Sequence, residues 1–264
     1  MPEDLLDDPA WTEYVVAPAT STGERRDPSG RSHYAPHDPA CPVCNGLNVV
    51  GHRNNLSECL RCNHVFQSDL LVTMVYDAAY AHQYDHRPHR AMSALRWNFI
   101  QHWLGLAEGS RILDVGYGNG AFLTYAREHG MSVFGIDVHG ENFGIPHVDY
   151  DVTLKFDLVC FFDSLEHFPK FDRLFGLQAK NVIVSIPSAP DFLLQTPESW
   201  RHYKPGEHMH YFSRLSLDRL MRRWGMTTKV VEAHPEDELR GKLNMRSIAY
   251  DNILTAIYRR DQCL

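Results

Sequence analysis

The sequence predicts a doubly wound, Rossmann-like α/β fold with a small N-terminal metal-binding module. Three observations carry this prediction. From residue 111 onward, short apolar runs alternate with helical patterns, as in a mostly parallel sheet whose two faces are covered by helices. A glycine-rich turn at residues 116–120 joins the first of these strands to a helix. Two Cys-x-x-Cys pairs stand earlier, within residues 41–62.

Composition and charge exclude several classes of protein. The 264 residues are 44% hydrophobic and 22% charged, so the chain can bury a sizeable core. A net charge of −7 argues against a protein that holds DNA over a broad basic face. The acidic N-terminus lacks the apolar segment of a signal peptide, and no apolar run is long enough to span a bilayer. We therefore expect a cytoplasmic protein without a membrane partner, whose cysteines serve as ligands rather than in disulfides.

The pattern of composition divides the chain into four parts. Residues 1–40 are rich in Pro, Asp, Ser and Thr and predict an extended or disordered arm. Residues 41–70 hold four cysteines and short β-like runs, which predict a zinc ribbon. Residues 71–110 form a tyrosine-rich connector followed by a helix that starts at Pro88 and ends near Gly105. Residues 111–264 form the main domain.

Apolar periodicity places the elements of the main domain. Strands are predicted at residues 112–115, 132–137, 156–162, 181–186, 228–232 and 252–258, and helices at 121–128, 164–178 and 215–224. Pro169 is expected to break or kink the second of these helices. Only about 18 residues separate Asp137 from the strand at Phe156, which predicts a short third strand near residues 147–150. The last two strands follow each other without a helix and predict an antiparallel edge pair.

The glycine-rich turn is compatible with three kinds of ligand in principle. A dinucleotide fingerprint requires G-x-G-x-x-G, and a P-loop requires G-K-S or G-K-T. The run Asp114-Val115-Gly116-Tyr117-Gly118-Asn119-Gly120 has an acidic residue followed by glycines at alternate positions, which fits a turn that binds S-adenosylmethionine (SAM). The following helix offers free N–H groups to an anionic group such as a carboxylate.

Three segments, RILDVGYGNGAFLTYA, VFGID and FDLVCFFDSLEHF, occur in the order found in class I SAM-dependent methyltransferases, which the chain resembles over roughly residues 90–260. The resemblance implies a seven-stranded sheet with the last strand inserted antiparallel. It implies that Asp114 and the glycines lie along the methionine part of SAM and that Asp137 binds the ribose hydroxyls. Either Asp149 or Asp151 would contact adenine. The expected cofactor-binding residues are Asp114, Gly116, Tyr117, Gly118, Asn119, Gly120, Asp137, Val138, Asp163 and Tyr84.

Cys41, Cys44, Cys59 and Cys62 form two Cys-x-x-Cys pairs separated by a short segment. Each pair brings two thiolates onto one tetrahedral ion, so the four sulfurs predict a closed, structural zinc site. A ribbon, a tyrosine-rich connector and a SAM domain together resemble a subgroup of methyltransferases that act on sugars and other polar metabolites. In that subgroup connector tyrosines fold over the active site, which makes Tyr80 and Tyr84 candidates here.

Glu166 and His167 follow the fourth strand, where the resemblance places the reacting sulfonium. A histidine is a suitable base near neutral pH, and a neighbouring carboxylate can orient it. The resembling sugar enzymes carry this pair, although a tyrosine often stands where this chain has Ser164. In the loop of residues 200–213, His208 and His210 alternate with Met209, so an extended backbone would put both imidazoles on one face.

For this loop we favour a substrate-pocket role over a metal site made by His202, His208 and His210. The sequence thus predicts a methyltransferase for a small polar acceptor, a sugar or a sugar nucleotide. One alternative is an enzyme acting on RNA or protein, with the ribbon as docking module. Another is a non-catalytic SAM-fold assembly protein. DNA is disfavoured because the Asn/Asp-Pro-Pro-aromatic motif of base amino-methylating enzymes is absent after the fourth strand.

Overall fold

The structure is a computed structural model that describes residues 40–69, 88–138, 144–191, 193–233, 236 and 253–260. The predicted arm up to residue 39 and connector residues 70–87, with Tyr80 and Tyr84, lie outside the described residues. The described helices are α1 (His89–Leu104), α2 (Ala121–Glu128) and α3 (Arg214–Arg223). The strands are β1 (Val49–Gly51), β2 (Leu56–Cys59), β3 (His64–Gln67), β4 (Arg111–Val115), β5 (Ser132–Ile136), β6 (Lys155–Phe162), β7 (Gln178–Pro187), β8 (His210–Tyr211), β9 (Met226–Ala233) and β10 (Ile253–Arg260).

The main sheet has the strand order β5-β4-β6-β7-β10-β9. Strands β5, β4, β6 and β7 are parallel, whereas β10 runs antiparallel to both β7 and β9. The antiparallel insertion of the last strand and the antiparallel pairing of the final two strands are therefore confirmed. Strands β9 and β5 form the two edges of the sheet. Because β4 and β6 are parallel neighbours, the residues that follow them meet at the carboxyl ends of the strands, where ligands bind in doubly wound folds.

The alternation of side chains along each central strand supplies two hydrophobic cores, one on each face of the sheet. Leu113, Val159 and Val182 point to the face covered by α3. Ile112, Leu158 and Ile183 point to the face covered by α1 and α2. This two-sided burial explains why the central residues of these strands are mostly apolar on both faces, as in parallel sheets covered by helices, with Asp114 of β4 as a buried exception.

Two predictions for the main domain need correction. The described residues form a six-stranded sheet rather than the seven-stranded one, because the segment near residues 147–150 makes only a single parallel bridge, Gly135 to His147. The predicted helix at residues 164–178 is wrong. The structure has two 3₁₀ turns there, Leu165–His167 and Asp172–Gly176, and β7 already begins at Gln178. Pro169 accounts for the break, because it has no N–H to donate within a helix.

The cysteine-rich segment forms a second sheet, which a strand of the main domain completes. Its order is β1-β2-β3-β8, and all pairings are antiparallel. Strand β8 belongs to the long loop after β7, and its Tyr211 pairs with Val65 of β3. Arg223 of α3 donates to the carbonyls of Pro42 and Val43 at 2.7 and 2.8 Å. The ribbon is thus built into the main domain. None of the helices among the described residues combines the length and the apolar character needed to cross a membrane.

Candidate functional site

The glycine-rich turn leaves β4 in a conformation that only glycine adopts easily. Gly116, Gly118 and Gly120 have φ values of 80°, 53° and 69°, which lie in the left-handed region. A Cβ atom at Gly116 would also lie 2.6 Å from Cβ of Ser164. Ser164 in turn donates its hydroxyl to the carbonyl of Val115 at 2.6 Å. The turn after β4 and the turn after β6 are therefore packed directly on each other.

Asp137, at the end of β5, closes one side of this turn. Its Oδ2 accepts a hydrogen bond from the Gly118 N–H at 2.7 Å. The side-chain oxygen of Asn119 accepts from the N–H of Ala121, the first residue of α2, at 3.1 Å. Val138 is exposed, and the Tyr117 ring lies against Gly135, where a side chain would collide with it. The predicted cofactor residues Asp137, Tyr117, Asn119 and Val138 thus gather around the glycine turn.

Asp114 lies beneath the turn and is buried, with only 3% of its surface exposed. Its Oδ1 has no hydrogen-bond partner among the described residues. Burial raises the pKa of this carboxyl to about 7, while Arg96 opposes the rise and Asp137 adds to it. A buried acceptor in this state suits a ligand that brings a cationic or N–H donor group, as the amino-acid part of SAM does. The residues at the turn therefore fit this cofactor.

Asp163 stands at the carboxyl end of β6 with φ at 54°, which is uncommon for a residue other than glycine. Arg96 of α1 reaches its Oδ2 at 3.4 Å and also donates to Glu236 at 2.6 Å. The guanidinium lies over the Phe162 ring at 4.2 Å. Sequence reasoning missed Arg96. In the sequence, Arg96 is a charged residue of a predicted helix. Charged residues are common on helices, so the pattern did not distinguish this one.

Glu166 and His167 follow in the 3₁₀ turn that replaces the predicted helix. The Nδ1 of His167 lies 3.0 Å from the carbonyl oxygen of Glu207. Because a carbonyl can only accept, Nδ1 carries the proton and the lone pair is on Nε2. This Nε2 lies 3.9 Å from Oε1 of Glu166. Burial lowers the pKa of His167 to about 4, so its ring is neutral at pH 7.

His208 completes this cluster from the loop after β7. Its ring stands edge-on to the ring of His167, with centroids 4.8 Å apart and planes at 85°. Burial also lowers the pKa of His208 well below its ordinary value. Ligand atoms of Glu166, His167 and His208 all lie within 4.8 Å of one another. The structure therefore gathers three of the four predicted catalytic residues at one point.

His210, the fourth predicted catalytic residue, has different partners. Its Nε2 donates to the carbonyl of Phe168 at 2.7 Å, and its Nδ1 lies 3.0 Å from Nε2 of His64 in the ribbon. Both imidazoles are fully buried. His202 packs with its ring parallel to that of His208 at 6.4 Å, and the metal-type cluster forms around Glu166 and His167 rather than around His202 and His210.

The four cysteines converge as their spacing predicts. Cys41 Sγ lies 3.7 Å from Cys62 Sγ, and Cys44 Sγ lies 3.6 Å from Cys59 Sγ. In a tetrahedral zinc site with bonds of about 2.3 Å, the sulfurs stand roughly 3.8 Å apart. The hydrogen bond between Cys41 and Cys62 lowers the pKa of Cys41 to about 5 and raises the pKa of Cys62. The donor set therefore fits a closed tetrahedral ion site.

Comparison with known proteins agrees with this geometry. Residues 80–230 match the family described as a methyltransferase domain. None of the curated proteins compared with the chain matches it. Among similar solved structures, geranyl diphosphate C-methyltransferase from Streptomyces coelicolor, crystallised with Mg²⁺, geranyl diphosphate and S-adenosyl-L-homocysteine, is 15% identical, with a TM-score of 0.50 over 72% of this chain and 88% of that one.

Two further structures are similar at lower scores. Burkholderia thailandensis 1,6-didemethyltoxoflavin-N1-methyltransferase is 16% identical, with a TM-score of 0.49 over 70% of this chain and 85% of that one. Synechocystis magnesium protoporphyrin IX methyltransferase is 16% identical, with a TM-score of 0.46 over 66% and 84% of the two chains. The family match covers more than half of the sequence, and the chain therefore belongs to the methyltransferase domain family, as a SAM-dependent methyltransferase.

Proposed function

We propose that this methyltransferase acts on a small polar acceptor, a sugar or a sugar nucleotide. The observation that carries the proposal is the cluster of Glu166, His167 and His208 at the carboxyl end of β6, next to the turn that would hold SAM. The cofactor supplies an electrophilic methyl group when it is bound. The protein must hold it, orient the acceptor and assist the loss of the acceptor's proton.

For SAM we assign Asp114, Asp137 and the glycine turn. Asp114 would meet the amino-acid part with its buried Oδ1, and Asp137 would accept from the ribose hydroxyls, where charge-assisted bonds are short and strong. Tyr117, Asn119, Val138 and Asp163 would line the same site, and Tyr84 is proposed from the sequence alone. Asp149 and Asp151 are both exposed after β5, and both stay candidates for the adenine contact.

For the acceptor we assign Glu166 and His167 as the pair that assists proton removal. The Nδ1–H of His167 is fixed on Glu207, which directs Nε2 towards Glu166. Lys204 donates to Glu207 at 2.6 Å, so a charged pair and neutral imidazoles lie side by side. Such a mixed polar lining suits a ligand with hydroxyl groups better than an apolar one.

For the ribbon we propose a structural zinc ion held by Cys41, Cys44, Cys59 and Cys62. Their sulfur spacing supports a site with four thiolates, which leaves no open position for catalysis. Strand β8 already covers the edge of β3, and the ribbon cysteines pack in the same core as α3. A ribbon used in this way supports the site loop, which favours the small acceptor over RNA or a protein docked on the ribbon.

The test is incubation with SAM labelled in its methyl group, using separate pools of sugar nucleotides, RNA and protein. We expect label in the sugar pool, and loss of transfer in the Glu166→Gln variant. An exposed acidic residue far from the site, such as Glu108, gives the matched control, Glu108→Gln. Label in RNA or protein alone would refute the small acceptor. SAM binding without transfer to any pool would favour the assembly protein.

A further inference from the structure

Three side chains with metal-binding atoms meet from two separate segments of the chain. Glu166 and His167 belong to the turn after β6, and His208 belongs to the loop after β7. One ligand atom from each lies within 4.8 Å of the other two. The side chains of Glu166 and His208 are 3% and 4% exposed, whereas His167 keeps 15%. His167 is therefore the most exposed member of a largely buried cluster.

The orientation of His167 is the one that a metal-bound histidine needs. Its Nδ1–H donates to the Glu207 carbonyl, and its Nε2 lies on the Glu166 side, 3.9 Å from Oε1. In metal sites the second ring nitrogen is almost always held in this way by a carbonyl or a carboxylate, which fixes the tautomer and the ring plane. The neutral imidazole is also the form that binds metals.

The two segments are fixed relative to each other by the backbone. The N–H of Met209 donates to the carbonyl of Glu166 at 2.8 Å, and the N–H of His208 donates to the carbonyl of Lys204 at 2.8 Å. The first bond joins the two segments beside the cluster, and the second fixes the backbone of the loop that carries His208. Ligand atoms around an ion with bonds of about 2.1 Å stand roughly 3–3.5 Å apart. Side-chain shifts of about 1 Å would therefore close the observed spacing onto an ion.

We infer that Glu166, His167 and His208 form a binding site for one divalent cation of the first transition row. Two imidazoles and one carboxylate are a ligand set for Mn²⁺, Fe²⁺, Co²⁺ or Zn²⁺, and three protein ligands leave positions open for oxygen atoms of a substrate. The site differs in kind from the four-cysteine cluster, whose soft sulfurs select zinc. Glu166 supplies the negative charge, while the charge of Lys204 is offset by Glu207 at 2.6 Å.

The consequence for chemistry rests on the proposed function. An ion here would bind a hydroxyl oxygen of the acceptor and lower the pKa of that hydroxyl. Glu166 and His167 would then assist proton removal by holding the ion, and the proton of the acidified hydroxyl would pass to solvent water. This narrows the acceptor to one that offers a hydroxyl oxygen. Binding of the ion itself does not depend on SAM or on the acceptor.

The experiment is a titration of the full chain with Mn²⁺, zinc-loaded in the cysteine cluster and without SAM, followed by the electron paramagnetic resonance signal of free Mn²⁺. We expect one Mn²⁺ bound per chain. The Glu166→Gln and His208→Ala variants should bind at least tenfold more weakly, since a loss of this order follows even from removing supporting groups. His202→Gln is the matched control, because His202 is buried against His208 but stands outside the cluster.

A second measurement covers the case that a variant misfolds. Pulsed resonance of Mn²⁺ bound to the unchanged protein should show nitrogen couplings from two imidazoles. The metal site would be refuted if these couplings were absent or if no Mn²⁺ were bound. It would also be refuted if both ligand variants bound Mn²⁺ as tightly as the unchanged protein. If the protein binds no Mn²⁺ and still transfers methyl groups in the presence of a chelator, the metal site is refuted and the proposed function is not. Mn²⁺ binding without transfer would leave the metal site intact and count against the proposed function.

Discussion

His64 of the ribbon lies within hydrogen-bonding distance of His210 of the main domain, with Nε2 of the first 3.0 Å from Nδ1 of the second. Because His210 uses its Nε2–H on the Phe168 carbonyl, its Nδ1 must accept, and His64 must donate. Phe168 directly follows the turn that carries Glu166 and His167. The ribbon therefore supports the candidate catalytic turn through a chain of two buried imidazoles.

This relationship predicts a positioning role for His64. The His64→Ala variant should lose about 1–3 kcal/mol of unfolding free energy, because His210 is left with a buried, unpaired acceptor. The kcat should fall several-fold with little change in the KM for SAM, since the glycine turn does not contact His64. Urea unfolding and steady-state kinetics measure both effects.

Two further variants distinguish a positioning role of His64 from a general loss of stability. His64→Gln carries an amide N–H at a reach similar to Nε2, so it should restore most of the kcat. His52→Ala removes a half-exposed ribbon histidine that pairs with Glu58 at 3.1 Å and should leave kcat unchanged. A kcat equal in His64→Ala and His52→Ala would contradict the role.

Loss of the proposed zinc ion should inactivate the enzyme from a distance. Strand β8 is held by β3 through the pairs Val65–Tyr211 and Phe66–His210, and β3 lies beside the cysteine cluster. Removal of the ion should loosen this sheet and release the loop that carries His208. Elemental analysis should find one zinc per chain, absent in the Cys59→Ser variant, with transfer reduced at least tenfold in parallel. Cys263→Ser changes a cysteine that belongs to neither Cys-x-x-Cys pair of the sequence and should keep both the zinc and the activity. Zinc-free protein with full activity would disprove the coupling.

The parts of the fold that sequence periodicity could predict are those that local patterns determine. The central strands bury both faces, so Leu113 and Val159 stand in largely apolar runs. The antiparallel pairing of the last two strands was predicted because the sequence between them shows no helical pattern. The spacing of apolar residues did not distinguish a helix from the two 3₁₀ turns at residues 164–178. The contacts of Glu166 and His167 with a distant loop override local helix propensity there.

The candidate site was predictable in its members but not in its pairings. The cysteine spacing and the glycine turn are local signals, and the structure brings the four cysteines together and folds the three glycines into one turn. That His208 meets Glu166 while His210 meets His64 depends on how the loop after β7 crosses the ribbon, which no local pattern encodes. Arg96 was missed for the same reason, since its partner Asp163 is 67 residues away.

Gly116 should tolerate no side chain. In Gly116→Ala the new Cβ would lie 2.6 Å from Cβ of Ser164, and alanine is strained at a φ of 80°, at a cost of about 1–3 kcal/mol for the strain alone. SAM affinity, measured by calorimetry, should fall at least tenfold as the turn shifts. Gly109→Ala is the matched control, because Gly109 has a φ of 79° with nothing within 4 Å of the added atom.

The collision and the backbone strain can be separated by a double variant. Gly116→Ala with Ser164→Gly removes the contact but keeps the positive φ, so it should recover part of the lost stability and leave the strain that Gly109→Ala also carries. A double variant no more stable than Gly116→Ala would show that the collision with Ser164 contributes nothing, contrary to this account.

Asp114 should make both stability and SAM binding depend on pH. Its folded-state pKa of about 7 lies above the ordinary 3.8. Between pH 4 and 7 the folded protein therefore holds a proton that the unfolded chain has lost, so its contribution to stability falls as pH rises through this window. Three pKa units correspond to up to about 4 kcal/mol. Below pH 4 both states are protonated, and above pH 7 both are ionised.

The Asp114→Asn variant removes this titration and serves as the reference. Its unfolding free energy relative to the unchanged protein should increase from pH 4 to pH 7 and then stay level, as measured by urea unfolding. SAM affinity should change in the opposite sense. The cationic amino-acid part favours the ionised carboxylate, so SAM binding to the unchanged protein should tighten from pH 5 to pH 8, whereas Asp114→Asn should bind weakly throughout. An equal pH dependence of SAM affinity in the two proteins would mean that Asp114 does not face the cofactor. Arg96 and Asp137, whose charges act on Asp114, are present in both proteins, so they cannot account for a difference between them.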